Sequence, residues 1–214
     1  MQHHFWHNKW EKGETGFHQT DTHPMLVRYA DELGFTSPCR ILVPLCGKSH
    51  DMTFLLKRGC DVLGVELSQV AVEQYFAALN IIPEIKQCGE LLCYSAPGIT
   101  LFCGDLFALE PKHTGTIDAV YDRAALVALP AEMRTSYCQH VHTLAPQAKQ
   151  LLITFEYDQS AIAGPPFSVS PSEIEQYYAA HSDITPLMSA ELAGGLKGKV
   201  PATERAWLIS STTA

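Results

Sequence analysis

The sequence predicts an α/β protein built on a largely parallel sheet. From Arg40 to about Leu152, short apolar runs alternate with stretches whose apolar residues recur at helical spacing. That alternation is the signature of strands joined by crossover helices. Two of the runs, Asp61 to Glu66 and Ile117 to Asp122, close on an acid, and the carboxyl ends of strands are where an open parallel sheet receives its ligand. Neither an internal repeat nor a low-complexity tract interrupts the pattern.

The elements follow in order. Arg40 to Leu45 is a short apolar strand, the turn Cys46-Gly47-Lys48-Ser49 follows it, and Met52 to Arg58 places its apolar residues on one helical face. Asp61 to Glu66 is the second strand. Ser68 stands where a helix N-cap belongs, before a helix from Val70 to Leu79, and Pro83 marks its limit. Leu92 to Ser95 and Ile99 to Cys103, split by Ala96-Pro97-Gly98, read as a hairpin that leads into Gly104-Asp105-Leu106. Ile117 to Asp122 is a further strand, Pro130 to Leu144 a helix, and Gln150 to Phe155 a buried strand that runs into the loop Gly164-Pro165-Pro166. Pro171 to His181 is helical, and Ile184 to Met188 with Arg205 to Ile209 forms an antiparallel pair. At the other end, Phe5 to Glu11 and His23 to Leu33 read as two helices outside the alternating core.

The chain has 214 residues, 46% hydrophobic and 18% charged, enough for one well-filled core. A single domain over residues 1–214 is expected, with residues 1–36 as an N-terminal helical cover and 37–214 as the catalytic core. Lys and Arg number 15 against 23 Asp and Glu, a net charge of -8. A surface of that sign repels phosphate backbones and anionic headgroups, so nucleic acid and membrane are not expected partners. The seven cysteines form an odd set without a Cys-x-x-Cys pair or any clustering along the chain; they read as reduced cytoplasmic thiols that pack as small hydrophobes. Residues 1–10 lack an apolar signal core, and no apolar run reaches the roughly 18 residues of a membrane span. A cytoplasmic monomer is the expectation.

Glu66 closes the second strand about 20 residues after the first turn, where a carboxylate accepts the hydroxyls of an adenosine ribose; an exposed strand-end acid is the plainer alternative. A dinucleotide needs a Gly-x-Gly-x-x-Gly turn to bring backbone amides against its pyrophosphate, and here the turn holds only Gly47. A phosphate loop ending in Gly47-Lys48-Ser49 fails too, because the glycine it requires at position 42 is Leu42. An adenosine-bearing cofactor without phosphates remains, and S-adenosyl-L-methionine is the common one. Two rival readings stand beside it: an NAD(P)-dependent oxidoreductase on a Rossmann-like core, weakened by the missing glycines, and a noncatalytic protein that binds soft ligands through its thiols.

Taken together, Pro44-Leu-Cys-Gly-Lys-Ser49, Val65-Glu-Leu-Ser68, Gly104-Asp-Leu-Phe107, Tyr121-Asp-Arg-Ala-Ala-Leu-Val-Ala128 and Gly164-Pro-Pro-Phe167 resemble the thiopurine S-methyltransferase family, as does Trp6-x-x-x-Trp10 followed by Gly16-Phe-His-Gln19. The likeness runs from about Phe5 to Ser170 and fades after about Thr185. It implies a class I methyltransferase Rossmann-like fold with a seven-stranded, mostly parallel sheet and an antiparallel last strand. It also implies methyl transfer from S-adenosyl-L-methionine to thiopurines or other heterocyclic or aromatic thiols, with selenium or tellurium species as further soft acceptors. Mapped by motif, Leu45 would meet the methionine part, Glu66 the ribose, and Asp105 and Leu106 the adenine. Trp10 would close over the cofactor, with Trp6 in the core. Arg123 would contact the cofactor region and face the acceptor, and Phe17 would wall the acceptor pocket.

Such a displacement needs alignment of nucleophile and methyl and exclusion of water, and no metal. Arg123 keeps its charge at any relevant pH and can orient an anionic acceptor; Asp122 orients Arg123 or accepts a proton through water, or else the two form a strand-end salt bridge. The histidines near the start and the His140-x-His142 pair do not match metal-ligand spacing. Cys46, without a paired base, reads as packing.

Overall fold

The computed structural model describes residues 3–15 and 19–212. The chain divides into two compact units, one reaching Val120 and the other beginning at Tyr121. In the first, helices α1 (His3–Glu11) and α2 (Pro24–Tyr29) precede β1 (Arg40–Pro44), α3 (His50–Lys57), β2 (Asp61–Glu66) and α4 (Gln69–Ala78). Then come the strands β3 (Glu84–Cys88), β4 (Leu91–Ala96) and β5 (Ile99–Cys103), the short α5 (Pro111–Thr114) and β6 (Ala119–Arg123), within which the division falls. The strand order is β3-β4-β5-β2-β1-β6. β5, β2, β1 and β6 are parallel, and β4 and β3 fold back antiparallel.

Why β1 and β2 form is plain from their residues. Ile41, Leu42, Val62, Leu63 and Val65 are all buried, and unbroken apolar runs of this length suit strands covered on both faces. Helix starts are set by side chains that accept orphan amides. Ser49 accepts from the Asp51 amide ahead of α3, and Ser68 accepts from the Ala71 amide ahead of α4. Pro24 at the start of α2 is preceded by His23, whose ring nitrogen accepts from the Met25 amide.

The second unit holds the end of β6, then α6 (Ala131–Leu144), β7 (Lys149–Tyr157), α7 (Pro171–Tyr178), β8 (Ser182–Glu191) and β9 (Ala202–Ser211). The order is β6-β7-β9-β8, and β9 runs antiparallel to both its neighbours. A Ser170–Glu173 capping box starts α7. The β8–β9 connection, which has no readable period in the sequence, is a tight loop over its own small core of Tyr157, Leu196, Val200 and Ala202. Gly195 has φ +74°, and a Cβ there would lie 2.3 Å from the Val200 carbonyl oxygen, so only glycine fits.

The α/β class and the antiparallel last strand agree with expectation, but among the described residues the strands number nine rather than seven. β3 accounts for much of the difference. All five of its residues are exposed or half-buried, so no alternation of buried and exposed positions marks it; its pairing with β4 forms it. α2 is also shorter than predicted, ending at Tyr29 instead of Leu33. Trp6, expected in the core, is half-buried with its ring edge-on to Phe5 at 5.2 Å. Among the described residues no helix is long and apolar enough to cross a membrane.

Gly64 sits at the centre of the sheet, where a Cβ would lie 2.6 Å from Leu101 Cδ2 and 2.8 Å from Cys46 Sγ. Gly64→Ala should therefore cost about 1–3 kcal/mol by overpacking. An unchanged urea midpoint would show that the neighbours can give way.

Candidate active site

Parallel register brings the carboxyl ends of β1, β2 and β5 side by side: Pro44 pairs with Val65, and Glu66 with Cys103. The chain leaves β1 through Leu45, whose φ of 47° is a left-handed conformation that a leucine adopts at a cost of about 1–3 kcal/mol. Cys46 then donates its amide to the Val65 carbonyl, and Gly47 takes φ 55°. Cys46 itself is buried, and burial pushes its thiol well above the ordinary range, which makes it packing and not a nucleophile.

Glu66 is the centre of this turn. It is 5% exposed; one carboxylate oxygen accepts from the Gly47 amide at 2.8 Å and the other from the Ser68 amide at 2.8 Å. Burial raises its carboxyl above the usual range, and the amides of Ser68, Gly47 and Leu67 oppose that shift. A carboxylate has about four acceptor sites, so this one can hold the turn with those amides and still accept from a sugar. The donor set suits a phosphate-free adenosine group: a single-glycine turn, a buried acid, and a lone lysine occupied elsewhere. That lysine, Lys48, donates to Gln74 at 2.8 Å and lies 5.8 Å from the Trp10 ring centroid.

Trp10 is 4% exposed, and its indole lies on the turn itself: a Cβ on Gly47 would be 3.1 Å from Trp10 Cζ2. Gly47 thus serves twice, by its left-handed φ and by leaving room for the ring. α1, which carries Trp10, packs on α4. Its first residue, His3, reaches the Asp105 carboxylate at 3.0 Å, while Asp105 also accepts from the Phe107 amide as the cap of a short 3-10 turn. Leu106, next in that turn, is buried. Trp10, Leu45, Glu66, Asp105 and Leu106 are therefore gathered in one unit. Phe17 lies outside the described residues.

The second unit holds the other two predicted residues at the end of β6. Asp122 is 0% exposed and accepts from the Tyr137 hydroxyl at 2.7 Å, the Leu126 amide at 3.1 Å and the Gln150 side chain at 3.3 Å. Burial pushes its carboxyl up to about 6, against the pull of the Tyr137 hydroxyl and the Leu126 and Ala125 amides. The Asp122–Arg123 pairing entertained from the sequence is not formed: successive residues of a strand point to opposite faces, and Asp122 takes the inner one. Arg123 is half-buried, and its side chain makes no hydrogen bond or ion pair among the described residues. Ala124 follows with φ 61°, a second strained turn.

The Gly164-Pro-Pro-Phe loop is fastened at several points: Phe167 donates its amide to Val127, Tyr157 its hydroxyl to the Pro166 carbonyl, and Lys197 its amine to the Pro165 carbonyl. Sequence reasoning missed His3 in the first unit and Tyr137, Gln150 and Lys197 in the second. No motif marks them, because each acts on a partner remote in the chain. Only the histidine content of α1 could have drawn attention to His3, in an element that the sequence reading began at Phe5.

A family model described as "Thiopurine S-methyltransferase (TPMT)" matches residues 1–202. The chain is 44% identical over 206 residues to a protein named thiopurine S-methyltransferase of Gluconobacter oxydans, covering 96% of this chain and 94% of that one. A protein of the same name from Xanthobacter autotrophicus is 46% identical over 210 residues, covering 98% and 99%. Among solved structures, a 1,6-didemethyltoxoflavin-N1-methyltransferase of Burkholderia thailandensis with bound S-adenosylhomocysteine superposes with TM-score 0.66 at 18% identity, over 98% of this chain and 87% of that one. A SAM-dependent methyltransferase from Anabaena variabilis gives 0.65 at 16%, over 98% and 95%. The nicotinamide-dependent alternative falls with these matches. The chain belongs to the thiopurine S-methyltransferase family, and it is a methyltransferase that draws its methyl group from S-adenosylmethionine.

Proposed function

We propose that this methyltransferase acts on the sulfur of thiopurines or other heterocyclic or aromatic thiols, with selenium or tellurium species as further acceptors. The observation that carries the reading is Glu66: a buried carboxylate fixed by the Gly47 and Ser68 amides at the end of β2, beside a turn sealed by Trp10. Family membership points the acceptor chemistry towards thiols. All seven cysteines are free, which fits a cytoplasmic protein. We read it as one domain acting as a monomer on a small-molecule acceptor.

In this reading Glu66 receives the ribose hydroxyls, the backbone at Leu45 meets the methionine part, and Asp105 and Leu106 flank the adenine. Trp10 covers the cofactor and keeps water out. The bound sulfonium supplies an activated methyl group. A soft thiolate is a strong nucleophile without a dedicated base, so the protein's task is to orient it, and Arg123 suits that task because its guanidinium has no other partner among the described residues. Phe17 stays assigned to the acceptor wall by the family resemblance. Asp122 becomes a positioning residue: a fully buried carboxylate with three donors fixes the end of β6 and so the place of Arg123.

Glu66→Gln should raise the KM for S-adenosylmethionine about 10–100-fold, the worth of a lost charge-assisted hydrogen bond, and should also lower the thermal midpoint, because the Gln NH2 cannot accept from the Gly47 or Ser68 amide that it would face. A KM within twofold of the parent would remove Glu66 from the cofactor. A radiolabelled methyl-transfer assay over thiopurines, simple thiols, selenite and tellurite tests the acceptor class. Turnover on heterocyclic thiols is expected, and silence on every sulfur and selenium acceptor would defeat the proposal.

Asp122 also gives a pH signature. A carboxyl raised from 3.8 to about 6 keeps its proton in the folded chain where the unfolded chain has lost it. The stabilisation is complete below the unfolded value and is lost as pH rises through the folded one. Relative to wild type, Asp122→Asn should therefore gain roughly 2–3 kcal/mol between about pH 4 and about pH 7. Urea midpoints of both proteins across that range check it, and a pH-independent difference would refute the titration.

A further inference from the structure

Chain order scatters the seven cysteines, but the sheet gathers four of them into two pairs. Cys39 and Cys60 directly precede the paired residues Arg40 and Asp61 of β1 and β2, so their side chains are neighbours. At 8% and 3% exposure they are shut in. The second pair lies on the outer hairpin. There Cys88 is registered with Leu91, and Cys93 with Lys86. Cys88 and Cys93 are thus diagonal neighbours on one face, two positions apart, the offset that the right-handed twist of a two-stranded ribbon draws together. The register puts the two thiols near enough to perturb one another, and both residues are half-exposed.

We propose that Cys88 and Cys93 form a surface bis-thiolate site for a soft d10 cation of the copper(I) class. Thiolate sulfur selects such cations. Zinc, which takes four ligands, is not served, since the described residues contain no group of three or more His, Cys, Asp and Glu able to hold an ion. A two-coordinate cation needs nothing beyond the two sulfurs. Binding forms two metal–sulfur bonds and releases both thiol protons to water, with no electron transferred. The product carries one net negative charge. Lys86 stands opposite Cys93 on the same face to offset it, itself steadied by Glu84 at 2.9 Å. Burial and then the neighbouring Cys88 push the Cys93 thiol up to about 11, so a metal has to displace the proton there. The site is independent of the methyl-transfer reading, and no residue of the hairpin pair is assigned to the cofactor.

The full chain, fully reduced and free of oxygen, is titrated with copper(I) against the chromogenic chelator bicinchoninate. One equivalent should be withheld from the chelator. Cys88→Ser and Cys93→Ser should each abolish that retention, while Cys39→Ser should keep it. In the unmodified protein, copper(I) should also shield Cys88 and Cys93 from alkylation, read by peptide mass spectrometry, a measurement that needs no variant to fold. Retention that survives both hairpin variants, shielding that falls on Cys39 and Cys60 instead, or no retention at all overturns the proposal.

Discussion

The first unit depends on one buried carboxylate. Taking an ionised carboxylate out of water costs several kcal/mol unless donors replace the lost solvent, and Glu66 is supplied by the Gly47 and Ser68 amides. The same bonds join the turn after β1 to the start of α4, which Lys48 ties again through Gln74. Gly47 can donate there because its φ is left-handed, and its missing Cβ lets Trp10 lie against the backbone. The covering helix, the turn and the acid are therefore one construction. Loss of any part exposes a group that is tolerable only while the others remain in place.

The second unit solves a similar problem with a different result. Asp122 is also a buried acid at the end of a strand, but its donors include the side chains of Tyr137 and Gln150 from α6 and β7. A carboxylate whose oxygens are filled by the protein's own side chains has little left for a ligand. It ties α6 and β7 to the end of β6, where Ala124 turns the chain through a strained conformation. Two acids that look alike in sequence, each closing a strand, thus serve different ends. One is held by backbone amides alone, and the other is enclosed by side chains of α6 and β7 as well.

The cysteines show the same divide. Read along the chain, they form no cluster; in the sheet, Cys39 meets Cys60 and Cys88 meets Cys93, because strand pairing brings together residues of separate runs. Sheet register is a non-local property, fixed by hydrophobic pattern and turn geometry together.

What the amino-acid sequence determined by itself was whatever rests on local chemistry. The strands with both faces buried, β1, β2 and β7, announce themselves as apolar runs; Ser68 marks its helix; and a turn with a single glycine refuses a pyrophosphate. From these the α/β class, a phosphate-free adenosine cofactor and the place of Glu66 were legible, while Leu45, Asp105 and Leu106 were placed by the family resemblance of their motifs. Tertiary structure alone decided the rest. β3 carries no burial pattern and exists by pairing with β4. Trp10 is buried while Trp6, one helical turn away, is half-buried, a choice made by what each face of α1 packs against. Asp122 turns from Arg123 to Tyr137 and Gln150 because a strand sends successive side chains to opposite faces, and only the folded chain shows which face is inside.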